Sequence, residues 1–501
     1  MKYCTTAMSI VSVMLAVTLD RKVYAASEAT PAFTLVQPAL FADSEAFSNS
    51  WADYDGDGDQ DLMVLFMSGQ VRLYENQAGR FSDVGPLRGL PVKGEWWVLG
   101  AAWGDYDKDG DIDVYLGYKD GLKPASNRLY RNDGGKRFQD VTEEVGLARL
   151  AVNTRQSSWV DVDSDGDLDL FVPHKFGFNA LYENVDGRFS DISRSVGLFD
   201  PRRTLGSCWF DMDEDGDLDT FNTNQYGDRN AFYRNDGGSF VDIAAEYSMD
   251  KPGRHWREGS VSCSAVDYDN DGDLDLFVNG AGTEPINLYR NEGKGRFIDV
   301  TESVGLVVGE NSGIAAGIWG DYDLDGRIDL YLANGFGADY LFKNTAGGFH
   351  NVFSQLIPGN AGRGETHAAQ WADFDQDGDL DLALASINKP GGHPLLRNEM
   401  PVSHRSLQIT ILDRDGHYTK AGTEVRLFDA ATGQLLGTRL VDAGTGYNTQ
   451  NATPLHFGLA KMPKRVDVEV TSISPSGRQV KSHKNIEPEK FRGKTLKILV
   501  N

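Results

Sequence analysis

The stretch Asp53-Tyr54-Asp55-Gly56-Asp57-Gly58-Asp59-Gln60-Asp61 decides how this chain is read. Its pattern, Asp-x-Asp-x-Asp-Gly-x-x-Asp, returns in loops that begin at Asp105, Asp161, Asp211, Asp267, Asp321 and Asp373. The start-to-start spacings are 52, 56, 50, 56, 54 and 52 residues, so the unit is repeated rather than scattered. Each loop follows a short apolar segment such as Ala101-Ala102-Trp103 and leads into another such as Leu168-Asp169-Leu170-Phe171-Val172. A third run with Tyr or Phe and Asn comes next, for example Leu129-Tyr130-Arg131-Asn132, and after a Gly turn a fourth, Phe138-Gln139-Asp140-Val141-Thr142. Four short strands rich in aromatic and β-branched residues, repeated about every 50 residues, predict a blade of a β-propeller. Seven repeats predict seven blades.

The seventh repeat lacks its fourth strand, because Leu395-Leu396-Arg397-Asn398 runs directly into Met400-Pro401. Phe33-Thr34-Leu35-Val36 has the spacing of Phe81-Ser82-Asp83-Val84. The expectation is that this N-terminal strand completes the last blade and leaves no open edge.

Carboxylates at positions 1, 3, 5 and 9 of one tight turn offer hard oxygen ligands to a cation such as Ca²⁺. The candidate ligands are Asp53, Asp55, Asp57 and Asp61; Asp105, Asp107, Asp109 and Asp113; Asp161, Asp163, Asp165 and Asp169; Asp211, Asp213, Asp215 and Asp219; Asp267, Asp269, Asp271 and Asp275; Asp321, Asp323, Asp325 and Asp329; and Asp373, Asp375, Asp377 and Asp381. About seven structural Ca²⁺ are expected. Gly at position 6 of every loop fits a bend that needs positive φ. Position 7 supplies only a backbone carbonyl on this reading, so its side chain is free to vary, and Arg327 stands there in the sixth loop. An EF-hand is excluded because position 12 is Val64, Leu116, Val172, Asn222, Val278, Leu332 or Leu384, inside predicted strands. No His or Cys lies in the loops, which disfavours a transition metal.

Charge follows the same division. The chain has 501 residues and a net charge of −25. The seven loops carry −33, as much as all of residues 26–402, while residues 403–501 carry +6. A surface this acidic disfavours nucleic acid and anionic membrane as partners. Residues 1–25 read as a secretory signal: Lys2, an apolar run from Thr5 to Leu19, and Val23-Tyr24-Ala25 before the cut. No other stretch is long and apolar enough to span a membrane, so a secreted or periplasmic location is expected. Cys208 and Cys263 remain after cleavage, either as two small buried thiols or as a bridge; an offset of one residue turns them to opposite faces of neighbouring strands.

The loops, followed by Leu-Tyr-x-Asn and Phe-x-Asp-Val-Thr, resemble FG-GAP/VCBS-type repeats, the calcium-loop blades also found in integrin α-chain propellers. From Ser403 the acidic loop is gone. There, Lys420-Ala421-Gly422-Thr423-Glu424-Val425-Arg426-Leu427, Gly444-Thr445-Gly446-Tyr447, Leu455-His456-Phe457-Gly458-Leu459 and Pro475-Ser476-Gly477-Arg478 resemble the ASPIC/UnbV domain. The whole is similar to the cartilage acidic protein family and its bacterial relatives, which implies a secreted, calcium-binding protein. The predicted architecture is all-β: a signal peptide over 1–25, a seven-bladed propeller over 26–402, and a small β-sandwich-like domain over 403–501 with its basic residues on the solvent face.

The face opposite the acidic loops is built from longer loops rich in aromatic and basic residues. Candidate ligand contacts there are Trp96, Trp97, Lys119, Arg155, His174, Lys175, Arg203, Tyr226, Trp256, Arg257, Arg363 and His393. Trp and Tyr beside Arg suit a sugar ring or an anionic ligand, so a recognition or adhesion module for a glycan or protein is expected on that face. The alternative is an enzyme of lyase, hydrolase or cyclase type, with His255, Glu258 and His367 as candidate catalytic groups.

Overall fold

The computed structural model describes residues 32–94, 96–119, 126–147, 153–253, 258–281, 284–293, 295–309, 312–387, 392–401, 405–444 and 447–500. The predicted signal segment and His255, Trp256 and Arg257 lie outside these residues. The molecule is an all-β propeller-like array followed by a small β domain. In the first repeat, strands Ala46–Ala52, Asp61–Phe66, Val71–Gln77 and Arg80–Asp83 pair antiparallel in chain order. Six further sheets repeat this order. Their first strands are Trp97–Gly104, Ser158–Val160, Thr204–Phe210, Gly259–Val266, Ile314–Gly320 and Thr366–Ala372. Each first strand touches the next, and the seventh touches the first, so the innermost strands close a ring around a central channel.

Phe33–Val36 pairs antiparallel with Leu395–Asn398, with Phe33 opposite Asn398, and supplies the missing fourth strand of the last sheet. Phe33 is buried beside Trp371 and Tyr322. The sheets stack face to face through aromatic pairs of repeated type, such as Trp51 on Phe374, Trp159 on Tyr106 and Trp371 on Tyr322.

Cys208 and Cys263 form a disulfide, with Cα atoms 5.9 Å apart. The offset that turns them to opposite faces of their own strands is what brings them together. Stacked sheets meet through opposite faces, so in-sheet alternation does not separate residues of neighbouring blades.

The C-terminal domain has two sheets. One joins Ser406–Leu412 to Leu455–Gly458 and Thr495–Leu499. The other contains Glu424–Asp429, Leu435–Leu440, Val466–Ser474 and Gly477–Ile486. Their shared core includes Ile409, Ile411, Val425, Leu427, Phe457, Val468 and Ile498. The domain covers the acidic-loop face. Its segment 447–452 passes between the innermost strands: Thr449–Gln450 pairs parallel with Ala101–Ala102, Trp159 N–H donates to Gln450 Oε1 at 2.7 Å, and Trp51 N–H donates to Asn451 Oδ1 at 3.0 Å. The channel is stoppered by its own chain.

Candidate functional site

Each acidic loop is a tight double bend. Position 6 Gly has φ between 89° and 104° in all seven loops. Position 4 is also left-handed throughout, at Gly56, Lys108, Ser164, Glu214, Asn270, Leu324 and Gln376. The carboxylate at position 5 accepts the N–H of position 7 in every loop, as in Asp59 N to Asp57 Oδ1 at 2.9 Å. The carboxylate at position 1 accepts the N–H of the position 6 Gly in six loops, for instance Gly326 N to Asp321 Oδ2 at 2.8 Å.

Position 9 ties the loop to the third strand. Asp61, Asp113, Asp169, Asp219, Asp275, Asp329 and Asp381 each accept the backbone N–H of the repeated Asn: Asn76, Asn132, Asn184, Asn235, Asn291, Asn344 and Asn398. Any cation ligation by these oxygens is therefore through a second lone pair. Position 7 has more to do than the sequence reading allows. Asp59, Asp111, Asp167, Asp217 and Asp379 accept backbone N–H groups beyond the third strand, as in Gly134 N to Asp111 Oδ2 at 2.6 Å. Arg327 leaves that link unmade in the sixth loop.

The donor set suits a hard divalent cation. Every loop keeps at least one buried carboxylate oxygen without a hydrogen-bond partner: on Asp53, Asp105, Asp107, Asp161, Asp211, Asp213, Asp267, Asp323, Asp329, Asp375 and Asp379. Three-carboxylate groups whose oxygens lie within 4.8 Å of one another occur at Asp53/Asp55/Asp57, Asp105/Asp107/Asp113, Asp161/Asp163/Asp165, Asp211/Asp213/Asp219 and Asp267/Asp269/Asp271, with two more. Burial and then mutual repulsion lift these carboxyls, Asp105 to about 7 and Asp53 to about 6. A cation within the loop reverses both effects, since it restores solvation by coordination and neutralises the repulsion. The sixth loop differs again. Lys343 places its ammonium on Asp323 and 3.2 Å from Asp325.

Basic and polar residues of the C-terminal domain meet the position 1 carboxylates from above. Arg478 donates to Asp211 at 3.1 Å, Lys420 Nζ lies 3.9 Å from Asp161, and Gln408 donates to Asp373. Arg478 and Lys420 therefore face the propeller, while Arg414, Lys484, Lys490 and Arg492 lie exposed to solvent, as the composition predicts. A cavity of about 160 Å³ remains between the two parts, lined in part by Trp319, Trp371, Arg439, Asp442 and His456.

At the opposite mouth the structure gathers some of the expected residues and disperses others. Arg155 lies with its guanidinium carbon 5.1 Å from the Phe47 ring and 5.7 Å from the Tyr447 ring. His367 stacks on Phe47 at 4.8 Å. Burial, then the Arg155 charge, hold His367 neutral down to about 4. Lys175 Nζ sits 4.7 Å from the Tyr226 ring and donates to Gln225 Oε1 at 3.1 Å, and Lys119 Nζ lies 4.6 Å from the Trp97 ring. Arg203 also covers Tyr226, but its guanidinium is spent on Asp228 at 2.7 and 2.8 Å.

Five residues stand apart from this cluster. His174 is buried, with Nδ1 2.5 Å from Phe178 O, and packs inside its sheet. His393 is buried between Phe41 and Phe66, 2.7 Å from Tyr74 Oη. Trp96 packs on Tyr118, and Arg363 lies over Phe353 and donates to Gly359 O at 2.9 Å. Glu258 accepts Gly227 N–H through its backbone carbonyl at 3.2 Å. Phe47 and Tyr447 are site residues that the sequence reading does not single out. The signal for Tyr447 was its place in the Gly444–Tyr447 motif; for Phe47 it was its position four residues before Trp51.

A ring of stacked four-stranded sheets carrying one acidic loop apiece defines a repeat-built β-propeller with cation-type loops. The FG-GAP-like repeat description matches residues 53–116, 161–221, 211–278, 267–332 and 321–384, and the chain belongs to that family. It is 26% identical over 471 residues to human cartilage acidic protein 1, covering 85% of this chain and 68% of that protein. The frog protein of the same name, from Xenopus tropicalis, is 26% identical over 453 residues, covering 82% and 67%. Among solved structures, BBS1N in complex with ARL6DN aligns at TM-score 0.44 and 10% identity, over 74% of this chain and 97% of that one. No helix among the described residues is long and apolar enough to cross a membrane.

Proposed function

We propose that the protein is a secreted recognition module: a seven-bladed propeller held by Ca²⁺ in its acidic loops, with an ASPIC/UnbV-type β domain stoppering the channel. The opposite mouth receives a glycan or protein ligand. The observation that carries the calcium part is the set of buried, unpartnered carboxylate oxygens found in all seven loops. Such groups are costly to bury unless something coordinates them. The Cys208–Cys263 bridge supports an oxidising compartment, where disulfides persist. The recognition part rests on the aromatic and cationic cluster at the mouth, carried on a rigid scaffold.

Two experiments test the reading. Metal analysis of the purified protein is expected to return six to seven Ca²⁺ per chain, about one per loop of this ligand type; fewer than about four would remove the structural role. A glycan and protein array, with soluble products measured in the same wells, is expected to show binding without products. Released products would instead make the mouth an active site.

A further inference from the structure

One position in each repeat points at the channel axis near the mouth opposite the acidic loops. It lies six residues before the first Asp of each acidic loop, and reads Phe47, Leu99, Arg155, Leu205, Val261, Ala315 and His367. The backbone register shifts beside this residue in six repeats, for example between Ala46 and Ser48 and between Thr366 and Ala368. Such bulges re-aim a side chain out of the pleat. Phe47, Leu99, Leu205, Val261 and Ala315 accordingly join one apolar cluster with Tyr447 from the C-terminal domain.

Arg155 interrupts that apolar ring. It is only 7% exposed, and its Nε and Nη1 are buried with no hydrogen-bond partner. No carboxylate pairs with Arg155, Lys119 or Lys175 among the described residues, whereas the half-buried Arg72, Arg88, Arg128 and Arg202 each have one. Arg155 is also close enough to lower the ammonium groups of both lysines, after burial itself, to about 8 at Lys119 and about 7 at Lys175. A buried, unsatisfied guanidinium beside two lysines that lack a carboxylate partner costs stability unless an anion completes the group. Beside them, Trp97 and Phe176 expose ring surface of the sort that stacks on sugars.

We propose that Arg155, Lys119 and Lys175 form a site at this mouth for an anionic group on a glycan, a sulfate or carboxylate substituent whose sugar ring lies against Trp97 or Phe176. The guanidinium keeps Nε and Nη1 as unspent charged donors for the oxygens of such an oxyanion. The inference rests on the recognition reading above and narrows its ligand class.

The test uses the calcium-loaded full mature chain, with sulfated cellohexaose and unsulfated cellohexaose as probes. Binding is read by calorimetry and by tryptophan fluorescence, to which Trp97 is one of nine contributors. The sulfated sugar is expected to bind and to weaken as salt rises. Arg155→Gln is expected to cost about tenfold or more in affinity, the scale of a lost charge-assisted pair. Lys119→Gln is the second variant, because that half-exposed side chain contacts one ring and carries no fold-critical bond; a loss of about threefold or more is expected. Equal binding of both sugars, or sulfated-sugar binding unchanged in both variants, overturns the inference while leaving a neutral-glycan module standing. Binding of neither sugar also overturns it, and the array result then decides the broader reading separately.

Discussion

Lys343 shows how much one residue can alter a repeated site. In other repeats the basic residue of the third strand turns to an acid two positions on: Arg131 to Asp133, Arg234 to Asp236, Arg290 to Glu292 and Arg397 to Glu399. The sixth repeat has Thr345 at that place, so Lys343 turns into its own loop. The sixth loop is therefore expected to bind calcium most weakly, and Lys343→Gln to tighten it by about tenfold, as removal of one competing charge would. A calcium titration against a chelator that shows no sixth-site gain refutes this. His393 gives a pH prediction. Burial holds its imidazole down to about 4, against 6.5 for the free side chain. The unfolded chain takes up a proton that the folded one refuses, so stability is lost as pH falls from about 6.5 toward 4, by about 1.4 kcal/mol per unit. In saturating calcium, His393→Gln is expected to remove that share of the slope in urea unfolding between pH 7 and 5. The position 6 glycines were legible because only Gly is at ease with their φ. The left-handed position 4 was not, because Lys108, Leu324 and Gln376 carry no mark of it.

At the scale of elements, the repeated Asn is the clamp between blades. Asn132 Nδ2 donates to Tyr54 O at 2.7 Å in the preceding repeat and to Ile112 O at 3.1 Å in its own. Asn132→Ala leaves two buried carbonyls unpaired and is expected to cost about 1–3 kcal/mol in calcium-saturated unfolding. A loss below 0.5 kcal/mol, roughly the noise of surface changes, would deny the clamp. Phe33→Ala in the closing strand is expected to cost about 3 kcal/mol and to promote dimers by exposing the edge of Leu395–Asn398, visible in gel filtration. The four-strand unit was readable because alternation and Gly turns are local signals. The partner of Phe33–Val36 was readable only because its Phe-x-x-Val spacing repeats that of Phe81–Val84. The insertion of 447–452 into the channel left no such trace, since it depends on backbone groups of three different repeats meeting one segment of another domain.

At the scale of the whole molecule, the opposed charges of the two parts explain why they join, though not how. The sequence shows that residues 403–501 are basic and the loops acidic. Which cation meets which loop is a matter of shape. Gly444 is a case in point: a Cβ there would lie 2.4 Å from Ser207 O and 2.6 Å from Gln156 Nε2. Gly444→Val is therefore expected to expel the segment and undock the C-terminal domain, with the propeller intact. Small-angle scattering should show an extended particle and proteolysis a cut between the two parts; an unchanged radius of gyration would count against the stopper.

The pairing of Phe33–Val36 with Leu395–Asn398 also fixes an order of events. Once synthesised, this strand finds its partner only after some 360 residues more have followed. Until then both ends of the growing array are bare β-edges. The stopper at 447–452 emerges later still, so the ring has its full set of strands before anything can fill it. Synthesis thus runs as open chain, closed ring, stoppered ring, and the unguarded interval is the one in which this protein most needs protection from pairing with its neighbours.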